Sequence, residues 1–365
     1  MSKTIPEDLL VSIFKLKWSD FARSKEEQNM TYDFKKVLIV SENKELKQLI
    51  NSKQKPKEID KIRILKEEYE KLVVPLNLKE DNTVLRKLIK LDRRVESDFD
   101  GDSYLYLKQW GLSVWGLYYY KNENFGKAKS KLIECIALNE FLIGKGLKTA
   151  IFRIFEQNMN LSAIYIQEGR IKEGLRLKNH LLQYLSNGKS SKMLVSRMFK
   201  DNPLYHSHIY IREGCLYQLF RKMAAWPLDH RKDFYDDFFV FKLFFDKISM
   251  KEDTNDREIM KFWIYIKRNF YKGNYEKYKD AFTQFMNTTL SYKFDILKLS
   301  LISDILQMVE SSEIGYENDF YTLTNTFISE KLIGINEFKS HFIRRMPPEA
   351  EISRRAEKNS GNNTF

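Results

Sequence analysis

Apolar residues recur along most of this chain at alternating three- and four-residue spacing, the period of a helix that buries one face. Ile62, Leu65, Tyr69 and Leu72 form such a stripe inside a densely charged stretch, and Phe234, Phe238, Phe241 and Phe245 form another. Near the start, Pro6 with Glu7 and Asp8 predicts a helix beginning, leading into Leu9, Ile13, Leu16 and Phe21. The run Val37–Val40 would suit a short strand, but helix formers flank it; a further helix is expected over about 82–95. Seven Pro and 14 Gly in 365 residues are too few to turn the chain every eight to twelve positions, as an all-β fold requires. The expectation is an all-α protein. The run Asp98–Ser103 reads as a boundary loop, and 346–365, with Pro347 and Pro348 and then polar residues, as a flexible tail.

From Tyr104 the pattern repeats. Trp115, Gly116, Tyr119, Phe125, Ala128 and Leu132 make a first unit of large, small, aromatic, turn, small and large positions. Ser162, Tyr165, Gly169, Ile171, Gly174 and Leu181 place a second unit 46 residues on. The octapeptide Ile164–Ile171 nearly returns as Ile209–Leu216, which predicts a third unit with Gly169 and Gly214 in equivalent turns. A fourth would turn at Gly273 and Tyr275, with Tyr278, Phe282 and Phe285 along its second helix; a last pair, about 301–309 and 319–343, would close the stack. Small residues at the crossing let paired helix backbones approach, and bulky ones fill the space around it.

This pattern resembles the tetratricopeptide repeat family over about 104–290, with departures: the spacing is 45–46 rather than 34, and Gly174, Leu219 and Tyr278 stand where the second helix usually carries a small alanine. The resemblance implies a helix-pair solenoid (a TPR-like α-α superhelix) over 101–345, after an N-terminal helical region over 1–100. It also implies that the first helix of each pair lines a concave groove. Carried over by phase, that lining is Trp110, Tyr120 and Lys121, then Met159, Ala163 and Gln167, then Leu204, His208 and Arg212, then Trp263, Lys267 and Tyr271. Aromatic anchors among cations suit a peptide with bulky apolar groups and one or more carboxylates.

Charge modifies this picture only slightly. The formal charge is +12, but 50 acidic residues are interspersed with the 62 basic ones, so most cations are expected on solvated helix faces, and nucleic acid is a minor alternative partner. Catalytic chemistry has no visible carrier. Cys135 and Cys215 lie in apolar helical stretches, and His206 and His208, two apart, would point to different faces of a helix. Asp98, Asp100 and Asp102 open like a calcium loop, but Ser103 and Gln109 stand where glycine and glutamate are needed. The sequence therefore predicts a non-enzymatic, cytoplasmic adaptor or scaffold that binds protein or peptide, with no cofactor, no metal and no membrane contact. A peptide-sensing regulator resembling bacterial quorum-sensing receptors with such repeats is the alternative.

Overall fold

The computed structural model describes residues 7–25, 34–50, 56–77, 81–188, 191–199, 209–229, 254–310 and 317–334. These residues are all-α, with no strand among them beyond an isolated bridge between Lys25 and Ser291. No described helix is long and apolar enough to cross a membrane. The chain forms two compact units, one of residues 31–219 with 248–251, the other of 1–30, 220–247 and 252–365. These units cut the chain at other places than the sequence-based bounds of 1–100 and 101–345.

The first unit holds α2 (Phe34–Leu49) and three consecutive helix pairs, α3 (Pro56–Asn77) with α4 (Asp81–Asp98), α5 (Gly101–Lys121) with α6 (Phe125–Gly144), and α7 (Ile151–Gln167) with α8 (Ile171–Asn187). The boundary loop expected at 98–103 shrinks to Phe99 and Asp100, and α3 and α4 pack directly on α5. Their apolar stripes explain this: Ile62, Leu65, Tyr69 and Leu72 of α3 and Val84, Leu88, Leu91 and Val95 of α4 share one core with Tyr106, Leu107, Trp110 and Val114 of α5. Val37–Val40 lies within α2 and is helical.

The turns inside α5–α6 and α7–α8 are built alike. Asn124 N–H donates to the Tyr119 carbonyl at 2.9 Å and Arg170 N–H to the Tyr165 carbonyl at 2.8 Å, each after a residue of positive φ (Glu123 at 57°, Gly169 at 77°). This is the left-handed cap that satisfies the last carbonyls of the first helix. The small residues act as expected at the crossings. A Cβ at Gly116 would lie 2.6 Å from the end of Leu132, and one at Gly174 would lie 2.7 Å from the Ser162 carbonyl oxygen.

The expected third turn is not formed. Gly214 lies inside α9 (Ile209–Asp229), so the two near-identical octapeptides meet different fates, and the third predicted unit is corrected to one continuous helix. The residues after the glycine account for the difference. Gly214 is succeeded by Cys215, Leu216 and Leu219, all fully buried, and burying that stripe outweighs about 1 kcal/mol for a glycine inside a helix. The division between the two units falls within α9, between Leu219 and Phe220.

The second unit contains α1 (Glu7–Phe14), α10 (Asn255–Lys272), α11 (Tyr275–Asn287), α12 (Asp295–Glu310) and α13 (Glu317–Lys331). Its α10–α11 turn repeats the same cap, with Gly273 at φ 72° and Asn274 N–H donating to the Asn269 carbonyl at 2.9 Å. Residues 18–25 form a strap along α11–α13: Ala22, Ser24 and Lys25 N–H donate to the carbonyls of Met286, Lys331 and Leu290, and Tyr292 N–H donates back to the Lys25 carbonyl. Trp18 and Phe21 pack edge-on and tilted against Phe282 and Phe327. Beneath the strap, buried Asp295 accepts from the Ser24 hydroxyl and from the N–H groups of Ile333 at 2.7 Å and Gly334 at 2.8 Å. Lys298 Nζ donates to the carbonyls of Ala22, Met286 and Thr288, and burial pushes its amine down to about 8.

Candidate partner-binding groove

Of the residues expected to line a groove, five are enclosed by the chain's own helices. In the second unit, Trp263 is 0% exposed and donates from Nε1 to Ser300 Oγ at 2.9 Å, and Tyr271 is buried. Lys267 Nζ bonds both oxygens of Asp304, at 2.7 and 2.8 Å, and the Ser300 carbonyl. Burial outweighs the mutual attraction of this pair, lowering the lysine and raising the Asp304 carboxyl to about 6. The apolar stripe of α10 faces inward, and Lys267 lies on it. In the first unit, Met159 and Trp110 are buried as well. Tyr120 is half-buried, with its ring centroid 6.1 Å from that of Phe125, while Lys121 and Gln167 are exposed. Ala163 and Arg212 are half-buried, and the Arg212 guanidinium contacts Glu213 at 3.2 Å. Leu204 and His208 lie outside the described residues. The expected lining is thus divided between two units, three residues in one and the rest of the described ones in the other.

Trp110 nevertheless marks a chemically distinct place. The Arg153 guanidinium carbon lies 3.4 Å from the centre of its ring and Lys66 Nζ lies 4.7 Å from it. These three residues come from α5, α7 and α3, the first helices of the three consecutive pairs. A carboxylate completes the cluster. Glu42 of α2 accepts from Lys66 Nζ at 2.8 Å through one oxygen and from the Tyr106 hydroxyl at 2.8 Å through the other. One turn on, Glu45 accepts from both the N–H and the hydroxyl of Thr149, at 2.8 and 2.7 Å, just before α7 begins. Leu46 and Ile50 then enter the core shared by α3 and α5. So α2 lies across the face formed by the first helices.

The electrostatics stem from this arrangement. The Arg153 guanidinium is opposed by burial, but the carboxylates of Glu156, 2.6 Å away, and Glu42 outweigh it and raise its affinity for the proton. The Tyr106 phenol is pushed well up by burial and then by the Glu42 carboxylate, so it remains a donor. Charged hydrogen bonds of this sort are stronger than neutral ones. A polar seam lies nearby between α5, α6 and α7. Gln157 Nε2 donates to Ser113 Oγ at 3.0 Å, Asn139 Nδ2 donates to the Cys135 carbonyl at 2.7 Å, and neither amide atom of the buried Gln109 meets a protein partner.

Other places on this unit are less suited to a ligand. A cleft of about 230 Å³ between α4, α5 and α6 is lined by Asp92, Tyr104, Lys108, Trp115, Lys131 and Glu134. Apart from Glu96, its charged groups are already engaged: Asp92 accepts from the Tyr69 hydroxyl at 2.7 Å and Trp115 Nε1 at 2.6 Å, and Glu134 faces Lys131 at 2.9 Å and Lys108 at 3.8 Å. The thiols of Cys135 and Cys215 are buried and pushed up, Cys135 to about 11, which suits packing rather than nucleophilic attack. Among the described residues no three His, Cys, Asp or Glu side chains gather as metal ligands would. The exposed face of α4 carries Arg86, Lys87, Lys90 and Arg93, opposite its buried stripe.

Sequence reasoning found Trp110 but missed Lys66, Tyr106, Arg153, Glu42 and Glu45. One signal was present. In α2 the carboxylates of Glu42 and Glu45 share a helix face with Leu46, Leu49 and Ile50, and acidic groups on an apolar face imply an interior cation to receive them. Compared with known proteins, the chain matches no family model, no curated protein and no solved structure.

Proposed function

We propose that this protein is a non-enzymatic binding module of TPR-like helix pairs that takes an amphipathic segment of a protein partner, with carboxylates on its apolar face, on the face of α3, α5 and α7. One observation carries the reading: the Glu42 carboxylate is held between Lys66 and Tyr106 beside a tryptophan stacked on Arg153. That is a receptor for a carboxylate next to an apolar anchor, on the helices that line the groove in the family the sequence resembles. The test is fluorescence anisotropy of a labelled peptide of residues 34–50 titrated with the full chain, wild type and Leu46→Ala, against a scrambled peptide of equal charge. The reading expects the patterned peptide to bind and the scrambled one to fail. Lys66→Gln with Tyr106→Phe should weaken binding at least tenfold, the effect of losing hydrogen bonds to a charged group. Equal binding of both peptides rejects it.

A second reading is favoured by α4. Arg86, Lys87, Lys90 and Arg93 share the exposed face of α4, which suits a polyanion such as nucleic acid. Gel shifts over a salt series test it: affinity should fall steeply with salt and drop when Lys87 and Arg93 become Ala. Salt-independent or absent binding rejects this reading.

A further inference from the structure

The face that would receive a partner is filled by α2, and three features distinguish α2 from the helices it lies on. First, its anchorage is slight. Among its described residues Leu46 is the one that is fully buried, and Ile50 comes just beyond its end, whereas Ile39 and Val40 are 48% and 69% exposed. By contrast α5 buries nine of its residues. Second, its ion pair is not fully sealed off: the Lys66 and Glu42 side chains keep 16% and 13% of their exposure, so water reaches the edge of the pair. Third, much of what it covers is polar or charged. Lys66, Tyr106 and Thr149 would lose their carboxylate partners, while Trp110 would keep its stacking on Arg153. An element with few buried apolar contacts opens locally at a small fraction of the global unfolding free energy.

We infer that α2 is a resident, exchangeable occupant of this groove, and that the partner is a protein carrying an amphipathic helix with paired carboxylates on its apolar face that takes its place. The partner's pattern is read from α2 itself. It has two carboxylates three residues apart, to meet Lys66 with Tyr106 and the Thr149 N–H, and apolar residues four and eight positions after the first carboxylate, to fill the places of Leu46 and Ile50. This inference rests on the groove reading and adds its regulation: affinity is set by competition between partner and α2, as for any ligand whose binding-competent state is only part of the population. Nothing in the exchange requires the helix pairs to move, because the cations and the tyrosine are held by α3, α5 and α7.

The probe is the labelled peptide of residues 34–50, and it is titrated into three full-length chains. These are wild type, Leu46→Ala, and a chain with Glu45→Cys and Thr149→Cys joined by a short bis-maleimide. The native thiols, Cys135 and Cys215, are buried and escape the linker. The inference expects Leu46→Ala to bind the peptide at least tenfold tighter than wild type, and the bridged chain to lose binding that its unbridged form retains. If circular dichroism shows Leu46→Ala to be unfolded, Glu42→Gln takes its place, with a gain in affinity again expected. Equal affinity for wild type, loosened and bridged chains overturns the exchange while leaving the groove standing. Absence of binding to all of them overturns both.

Discussion

Two N-terminal segments of this chain lie across helices of their own unit, and they are held in opposite ways. The strap at 18–25 is locked into the second unit: Trp18, Phe21 and Ser24 are buried, its backbone bonds to α11 and α13 and to the link at 290–292, and Asp295 and Lys298 close on it from below. In the first unit, α2 rests on buried Leu46, partly buried Leu49, the subsequent Ile50 and two carboxylates that meet Lys66, Tyr106 and Thr149. A segment tied by backbone hydrogen bonds and buried ions is part of the structure, because removing one partner strands the others without water. A segment tied by partly exposed charge pairs and a few apolar anchors can leave more readily, because the polar groups it frees can be hydrated.

Substitutions should separate the two. The largest effect is expected from Asp295→Ala, which removes the counter-charge of Lys298 and strands the Ser24 hydroxyl and two N–H groups under the strap, and should cost the second unit about 3–5 kcal/mol in urea denaturation. The buried ions of that unit also give it a pH signature. Asp304 has its carboxyl raised to about 6 by burial, above the usual value near 4, so the folded state favours the protonated form. Its stability relative to Asp304→Asn should therefore fall, by up to about 3 kcal/mol, as pH rises from about 4 to about 6, and level off above. A difference that stays flat across this window would show that Lys267 offsets the burial completely.

Within the helix pairs, Gly174→Ala should cost about 1–3 kcal/mol in thermal unfolding, and more than Gly116→Ala. The obstacle at 174 is a backbone carbonyl, whereas at 116 it is the end of a leucine that can turn aside. Glu42→Ala should cost about 2 kcal/mol globally, because it removes a partly exposed ion pair and the Tyr106 hydrogen bond, and it should loosen α2 most. The smallest effect has the opposite sign. Glu123 occupies the left-handed position that glycine holds in the other two turns, so Glu123→Gly should stabilise by about 1 kcal/mol.

The helix pairs were legible in the sequence because their contacts are local: Gly116 with Leu132 and Gly174 with Ser162 are read within one unit. The strap was not legible, since Ser24 meets Asp295 across 271 positions and no short period marks such a pairing. The octapeptide repeat misled for a related reason. A glycine ends a helix only when the residues after it have nothing to bury, and Cys215, Leu216 and Leu219 do. Of the candidate site, Trp110 was visible as an aromatic in phase, but its cations come from α3 and α7 and its carboxylate from α2, a combination that only the stacking of separate pairs brings together.

Hydrogen–deuterium exchange on the full chain, tracked peptide by peptide in native buffer, distinguishes an exchangeable α2 from a fixed one. If α2 is an exchangeable occupant, amides of residues 38–49 should exchange by local opening at least tenfold faster than those in the middle of α5 and α7. Their rate should rise again in Glu42→Ala while α5 and α7 keep theirs. If α2 exchanges only together with α5 and α7, at the rate of global unfolding, it is a fixed part of the core and the account is contradicted.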